Sequence, residues 1–169
     1  MSALEIFSNQ HVRKLQERNF RVVRGFNLDV ARALHNGIND PVITEFTRDA
    51  ERFETLEKTL ELHEQESQKI FYSLVDTAIK GVIWFGPSEI QYSDAPTTFA
   101  IRIYTGGRGR GLAGDFIEAA HEDFTTDQGG DTWLKVQAGN ETARGLYLKH
   151  GYEISSDTPR GIVMTRRSD

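Results

Sequence analysis

Hydrophobic residues change their spacing on either side of one glycine-rich segment. From Thr97 to Tyr104, Phe99, Ile101 and Ile103 alternate with Ala100, Arg102 and Tyr104, a period of two that predicts a sheet strand. Beyond the glycines, Leu112, Phe116, Ala120 and Phe124 recur at every fourth position and predict a helix with one buried stripe. Gly129-Gly130 ends that unit, and Thr132 to Val136 reads as the next strand. Asn140 is a good N-cap for a helix running to about His150, with Gly151 as its left-handed exit. Tyr152 to Ser155 and Gly161 to Thr165 read as two closing strands across the Pro159 turn.

Upstream the pattern is less regular. Residues 1–19 are polar and read as helical or loosely ordered, Phe20 to Arg24 as a strand, and Asn27 to Asn36 as an N-capped helix. Phe46 to Gln65 reads as a second helical region, because Phe53, Leu56, Leu60 and His63 keep near-helical spacing. Ile70 to Val75 and Ala78 to Phe85 are predicted neighbours joined at Asp76-Thr77, with breaks at Gly86-Pro87-Ser88 and Ser93 to Pro96. The order β-α-α-β-β-β-α-β-α-β-β is that of a mixed α/β chain, expected to form a single domain over 1–169.

Composition narrows the chemistry. With no cysteine among 169 residues, disulfides, thiolate metal sites and a cysteine nucleophile are excluded. The five histidines are scattered, and His63-Glu64 lacks the second histidine of a zinc helix, so no metal is expected. A formal net charge of −5 argues against nucleic acid as the main partner. It is compatible with a cationic substrate and equally with plain solubility. No apolar run is long enough to span a bilayer and the first residues do not read as a leader, so no membrane partner and a cytoplasmic location are expected.

The segment Tyr104-Thr105-Gly106-Gly107-Arg108-Gly109-Arg110-Gly111-Leu112-Ala113 joins the predicted strand to the predicted helix. Glycines there let successive backbone N–H groups close on an anion, and the helix start adds its positive dipole end. Gly109 to Gly114 formally satisfies G-x-G-x-x-G, but the following strand runs into Gln137-Ala138-Gly139-Asn140 rather than a ribose-binding acid. Too little chain remains for a doubly wound sheet. A Gly-Lys-Ser/Thr is absent, which excludes a nucleoside-triphosphate loop.

Two motifs in order point elsewhere. Arg108-x-x-Gly111-x-Ala113 resembles the R/Q-x-x-G-x-G/A signature of the GNAT superfamily of N-acetyltransferases. Asn140-x-x-Ala143-x-x-Leu146-Tyr147-x-x-x-Gly151-Tyr152 resembles that family's second motif, with Tyr in place of Phe at its end. The resemblance implies the GNAT fold, a central mixed, mostly antiparallel sheet flanked by helices, and transfer of acetyl from acetyl-CoA to a primary amine, on a small molecule or a protein, by direct attack in a ternary complex. It implies that the coenzyme lies against Ile101, Ile103, Tyr104, Arg108, Gly109, Arg110, Gly111, Leu112, Ala113, Asn140, Ala143 and Tyr147. The backbone from Arg108 through Ala113 would hold the diphosphate, an amide near Ile103 would face the thioester carbonyl, and the Tyr147 hydroxyl would protonate the departing thiolate.

The general base has no motif. Many relatives place a carboxylate on the strand before the loop, and Thr97 to Tyr104 has none. Asp94 precedes that strand, Glu89 lies in the hairpin before it and Asp131 begins the strand after the loop helix, and a water chain to solvent serves equally well. The missing acid keeps open a non-catalytic acyl-CoA-binding or regulatory module on the same fold. Pairing of two copies through edge strands is a further expectation of the resemblance.

Overall fold

The structure, a computed structural model, describes residues 4–6, 9–65, 68–88 and 90–168. Its frame is one eight-stranded sheet in the order β1-β2-β3-β4-β5-β6-β8-β7. The strands are β1 (Leu4–Glu5), β2 (Arg21–Arg24), β3 (Ile70–Val75), β4 (Ile79–Gly86), β5 (Thr97–Ile103), β6 (Thr132–Val136), β7 (Glu153–Thr158) and β8 (Gly161–Arg166). Neighbours run antiparallel except β5 and β6, which are parallel. This is the mixed, mostly antiparallel sheet that the resemblance implies.

Period-two alternation in β5 and β6 divides the molecule into two packed layers. Phe99, Ile101, Leu134 and Val136 face α6 (Ala113–Asp127), whose Phe116, Ile117, Ala120 and Phe124 are buried, and α1 (Gln10–Glu17), which contributes Val12 and Leu15. On the other face, Val82 and Trp84 of β4 and Ala100 and Tyr104 pack with Val30 and Leu34 of α2 (Leu28–Asn36) and with Phe53. Each fully buried apolar side chain contributes about 1.5–3 kcal/mol, so register is fixed by which set faces which layer. Asn9 caps α1 by accepting from the Val12 amide and ties it to α6 by donating to the Ala119 carbonyl. Among the described residues, no helix is long and apolar enough to cross a membrane.

Two expectations are corrected. Residues 4–6 and 9–19 are neither wholly helical nor loose, because β1 forms the sheet edge before α1 begins. The helical region expected over Phe46 to Gln65 is broken into α4 (Asp49–Arg52) and α5 (Leu56–Gln65), after a short α3 (Pro41–Thr44). Threonine hydroxyls that bond to the main chain mark both breaks. Thr47 Oγ1 accepts from the Asp49 amide and Thr55 Oγ1 from the Lys58 amide, while Phe53 turns inward onto Trp84. Expectations for residues 1–3 and for Glu89 lie outside the described residues.

The arrangement that positions the site is a failure of pairing. β5 and β6 are in register only at Thr97↔Thr132 and Thr98↔Trp133. Beyond that point β5 stays with β4 through Ile103, and β6 stays with β8 through Val136. The two strands separate, and a wedge opens in mid-sheet.

Candidate active site

The wedge is the mouth of a cleft of about 990 Å³. Its walls come from β5, β6, the glycine loop, the start of α6, the helix α7 (Glu141–Lys149), the segment carrying α3 and α4, and the β7–β8 turn. Alternation along β5 determines what the backbone offers there. The Tyr104 amide donates to the Lys80 carbonyl at 2.9 Å, so even-numbered residues of β5 bond to β4. Ile101 and Ile103 therefore turn their main-chain groups toward the space that β6 has left. Their carbonyls accept from guanidinium groups, Ile101 from Arg102 at 2.9 Å and Ile103 from Arg108 at 3.1 Å.

Conformation in the glycine loop requires glycine. Gly106, Gly109 and Gly111 have φ of 92°, 72° and 69°, a region where side chains are strained. Nothing lies within 4 Å of where a Cβ would stand on Gly109 or Gly111, so both face open space. Gly107 is different: a Cβ there would meet the Lys80 carbonyl oxygen at 2.9 Å, and this glycine lets the loop lie on β4. The loop feeds α6, whose N-cap Leu112 makes no side-chain cap. By contrast, α1, α2 and α7 are each capped by an asparagine side chain, Asn9, Asn27 and Asn140. The amides of Ala113, Gly114 and Asp115 have no acceptor among the described residues. An uncapped helix start behind an open glycine loop can receive an anion.

The two loop arginines are engaged with protein. Arg108 pairs with Asp40 at 2.6 Å and its guanidinium also donates to Thr105 Oγ1, pinning the glycine loop to the start of α3. That guanidinium, with the Val42 amide, holds the Asp40 carboxyl below the usual carboxylate range. Arg110 lies over the Phe20 ring at 5.0 Å and donates to the Gly106 carbonyl. Its side chain is outside the cleft. Tyr104 is also outside, packed on Gly37 in the α2 layer with its hydroxyl buried. Ile101, Ile103, Arg108, Gly109, Gly111, Leu112, Ala113, Asn140, Ala143 and Tyr147 all line the cleft.

On α7, Asn140 accepts from the Ala143 amide at 3.3 Å. Tyr147 lies two turns further along the same face, with its ring edge-on to Phe99. Burial raises the Tyr147 pKa from its ordinary value, and the positive charge of Arg102 only partly opposes this. The phenol is thus neutral at physiological pH and keeps its proton. No partner for its hydroxyl occurs among the described residues.

Across the sheet from Tyr147, Arg102 extends toward α4. It donates from Nε and Nη2 to the two oxygens of Asp49, at 2.7 and 3.0 Å, and stacks over Trp84. The cleft therefore passes through the sheet, with α6 and α7 on one side and α3 and α4 on the other. Asp94 and Asp131 are not brought to it. Both pair with Arg167, at the end where β5 and β6 are still joined. Carboxylates that do line the cleft are Glu45 and Asp49, from a segment that carries no motif. Among the described residues there is no cluster of metal-ligating side chains.

Sequence comparison finds no protein-family model and no curated protein that matches the chain. Structural comparison finds solved structures of the same shape. An uncharacterised protein from Bacillus halodurans superposes with a TM-score of 0.76 at 12% identity, covering 98% of this chain and 90% of that one. Spermidine N-acetyltransferase from Vibrio cholerae, in complex with CoA and spermine, gives 0.68 at 20% identity, covering 88% and 94%. An acetyltransferase of the GNAT family from Streptococcus pneumoniae gives 0.65 at 18% identity, covering 88% and 99%. At these identities the shared property is the fold.

Proposed function

We propose that this chain, which has the fold of the GNAT acetyltransferases, is an acyltransferase that moves acetyl from acetyl-CoA to a primary amine, on a small molecule or a protein. The observation that carries the reading is the separation of β5 from β6 beside an open glycine loop and an uncapped α6. Amides of the loop and of the first turn of α6 take the diphosphate, and positive-φ glycines let it approach the main chain. The Arg108 side chain acts mainly by fixing the loop through Asp40. Asn140 and Ala143 form the wall opposite β5.

Amine attack on the thioester carbon forms a C–N bond and places negative charge on the carbonyl oxygen. The outward-facing amides of Ile101 and Ile103 offer main-chain donors for that charge. As the C–S bond breaks, the Tyr147 hydroxyl, kept neutral by burial, gives its proton to the thiolate sulfur. The amine loses its proton toward the α3–α4 side of the cleft, where Glu45 and solvent lie. Attack is direct, in a ternary complex, and holding both reactants in one cleft supplies much of the rate. The chain works in the cytoplasm, as a single domain.

CoA release measured over a panel of amines tests this proposal. Acetylated amine identified by mass spectrometry supports it. Tight acetyl-CoA binding without turnover on any amine would favour the non-catalytic acyl-CoA module instead.

A further inference from the structure

We infer that the amine acceptor carries an anionic group, a carboxylate or a phosphate, held between Lys135 and Arg160. The inference rests on the acyltransferase reading and adds its substrate class. Although the chain has a formal net charge of −5, most charged side chains on the cleft wall are cationic. Several are neutralised by neighbours: Arg102 by Asp49, Arg108 by Asp40 and Arg48 by Glu51. Lys135 and Arg160 are different. Each lines the cleft, and neither has a carboxylate partner among the described residues.

Their placement follows from the sheet. Leu134 and Val136 face α6, so Trp133 and Lys135 project from the opposite face, beside Tyr92 and Val163. Lys135 crosses the β7–β8 turn at its glycine: a Cβ on Gly161 would lie 2.9 Å from Lys135 Cε. This lays the lysine stem against Gly161, the residue that follows Arg160 in the turn, with its ammonium 4.5 Å over the Tyr92 ring. The diphosphate seat lies at the start of α6, on the other face. Lys135 therefore lies on the face opposite that seat, and Arg160 lines the cleft from the β7–β8 turn, so the acceptor is taken to enter from there. Glu45 lines the same cleft from the α3–α4 segment, is exposed, and makes no ion pair among the described residues. The charges suit a molecule with an ammonium at one end and an anion at the other. A polyamine would set like charge against Lys135 and Arg160.

The test titrates O-phosphoethanolamine, γ-aminobutyrate, butylamine and spermidine into the CoA-saturated protein and into the free protein, and measures acetylation of each by mass spectrometry. The two anionic amines are expected to bind and turn over at least tenfold better than butylamine or spermidine, and their ranking distinguishes phosphate from carboxylate. In Lys135→Gln/Arg160→Gln, two exposed positions, binding of the preferred amine is expected to fall at least tenfold while the CoA Kd stays within twofold. Preference for butylamine or spermidine overturns the inference. So does a matching loss of CoA affinity, which would assign the pair to the coenzyme phosphates, or an absence of anionic-amine binding to either form. If CoA itself fails to bind, the acyltransferase reading falls, and the free-protein titrations still decide whether the pair holds an anionic amine.

Discussion

Arg102 and Asp49 are joined by two charge-assisted hydrogen bonds, of 2.7 and 3.0 Å, with Asp49 only 3% exposed. The pair fastens the α4 segment to β5 and so fixes one wall of the cleft. Both oxygens of Asp49 are committed to the guanidinium, which makes it a poor proton acceptor and a good brace. Removing one partner leaves a buried charge uncompensated. Asp49→Asn is expected to lower unfolding free energy by about 3–5 kcal/mol in denaturant titrations. Asp49→Leu/Arg102→Met is expected to recover part of that loss; an Asp49→Asn protein as stable as wild type would contradict the brace.

Tyr147 makes no hydrogen bond within the described protein, and its pKa is raised by burial. Tyr147→Phe is therefore expected to leave thermal stability and acetyl-CoA affinity nearly unchanged. Its kcat is expected to fall about a hundredfold, the usual effect of losing a general acid. A variant with wild-type kcat would remove Tyr147 from the proton path.

The glycines divide by cause. Gly111→Ala meets open space but a φ of 69°, so its stability cost is expected to be about 1–2 kcal/mol. Its effect on acetyl-CoA affinity is expected to be larger, because the new methyl faces the space proposed for the diphosphate. Gly107→Ala meets the Lys80 carbonyl at 2.9 Å and is expected to destabilise the loop itself. Paired melting curves and coenzyme titrations separate the two effects.

His121 is buried beneath β5 and β6, where Nδ1 donates to the Ile117 carbonyl and Nε2 accepts from the Tyr152 hydroxyl, which in turn accepts from Thr132. Burial, with Arg166 nearby, lowers its pKa from 6.5 to about 3. A depressed folded-state pKa means that stability is complete above pH 6.5 and declines as the unfolded chain gains the proton first. Between pH 6.5 and 4 this histidine is expected to remove about 3 kcal/mol of stability. Chemical denaturation across that range should show a shallower loss in His121→Gln than in wild type.

The sequence disclosed the strand-loop-helix unit well, because its signals are local. Period two in β5, the fourfold spacing of Leu112, Phe116, Ala120 and Phe124, and caps at Asn27 and Asn140 all act within a few residues. The acceptor side was hidden for the opposite reason. Asp49 reaches Arg102 only through tertiary packing, and Lys135 reaches the β7–β8 turn at Gly161 only because β6 pairs with β8. Thr47 and Thr55 break a segment whose apolar spacing is nearly helical, and nothing in that spacing shows the break. The candidates that sequence offered, Asp94 before β5 and Asp131 before β6, lie at the joined end of the strands, where Arg167 holds both.

Calorimetric titration of acetyl-CoA against acetyl-pantetheine, which lacks the diphosphate, bears most directly on the proposed diphosphate seat at the glycine loop and α6. Saturable one-to-one binding of acetyl-CoA is expected, weakened at least tenfold in Gly111→Ala and nearly lost for acetyl-pantetheine. No heat with acetyl-CoA, or equal affinity for the two thioesters, would contradict it.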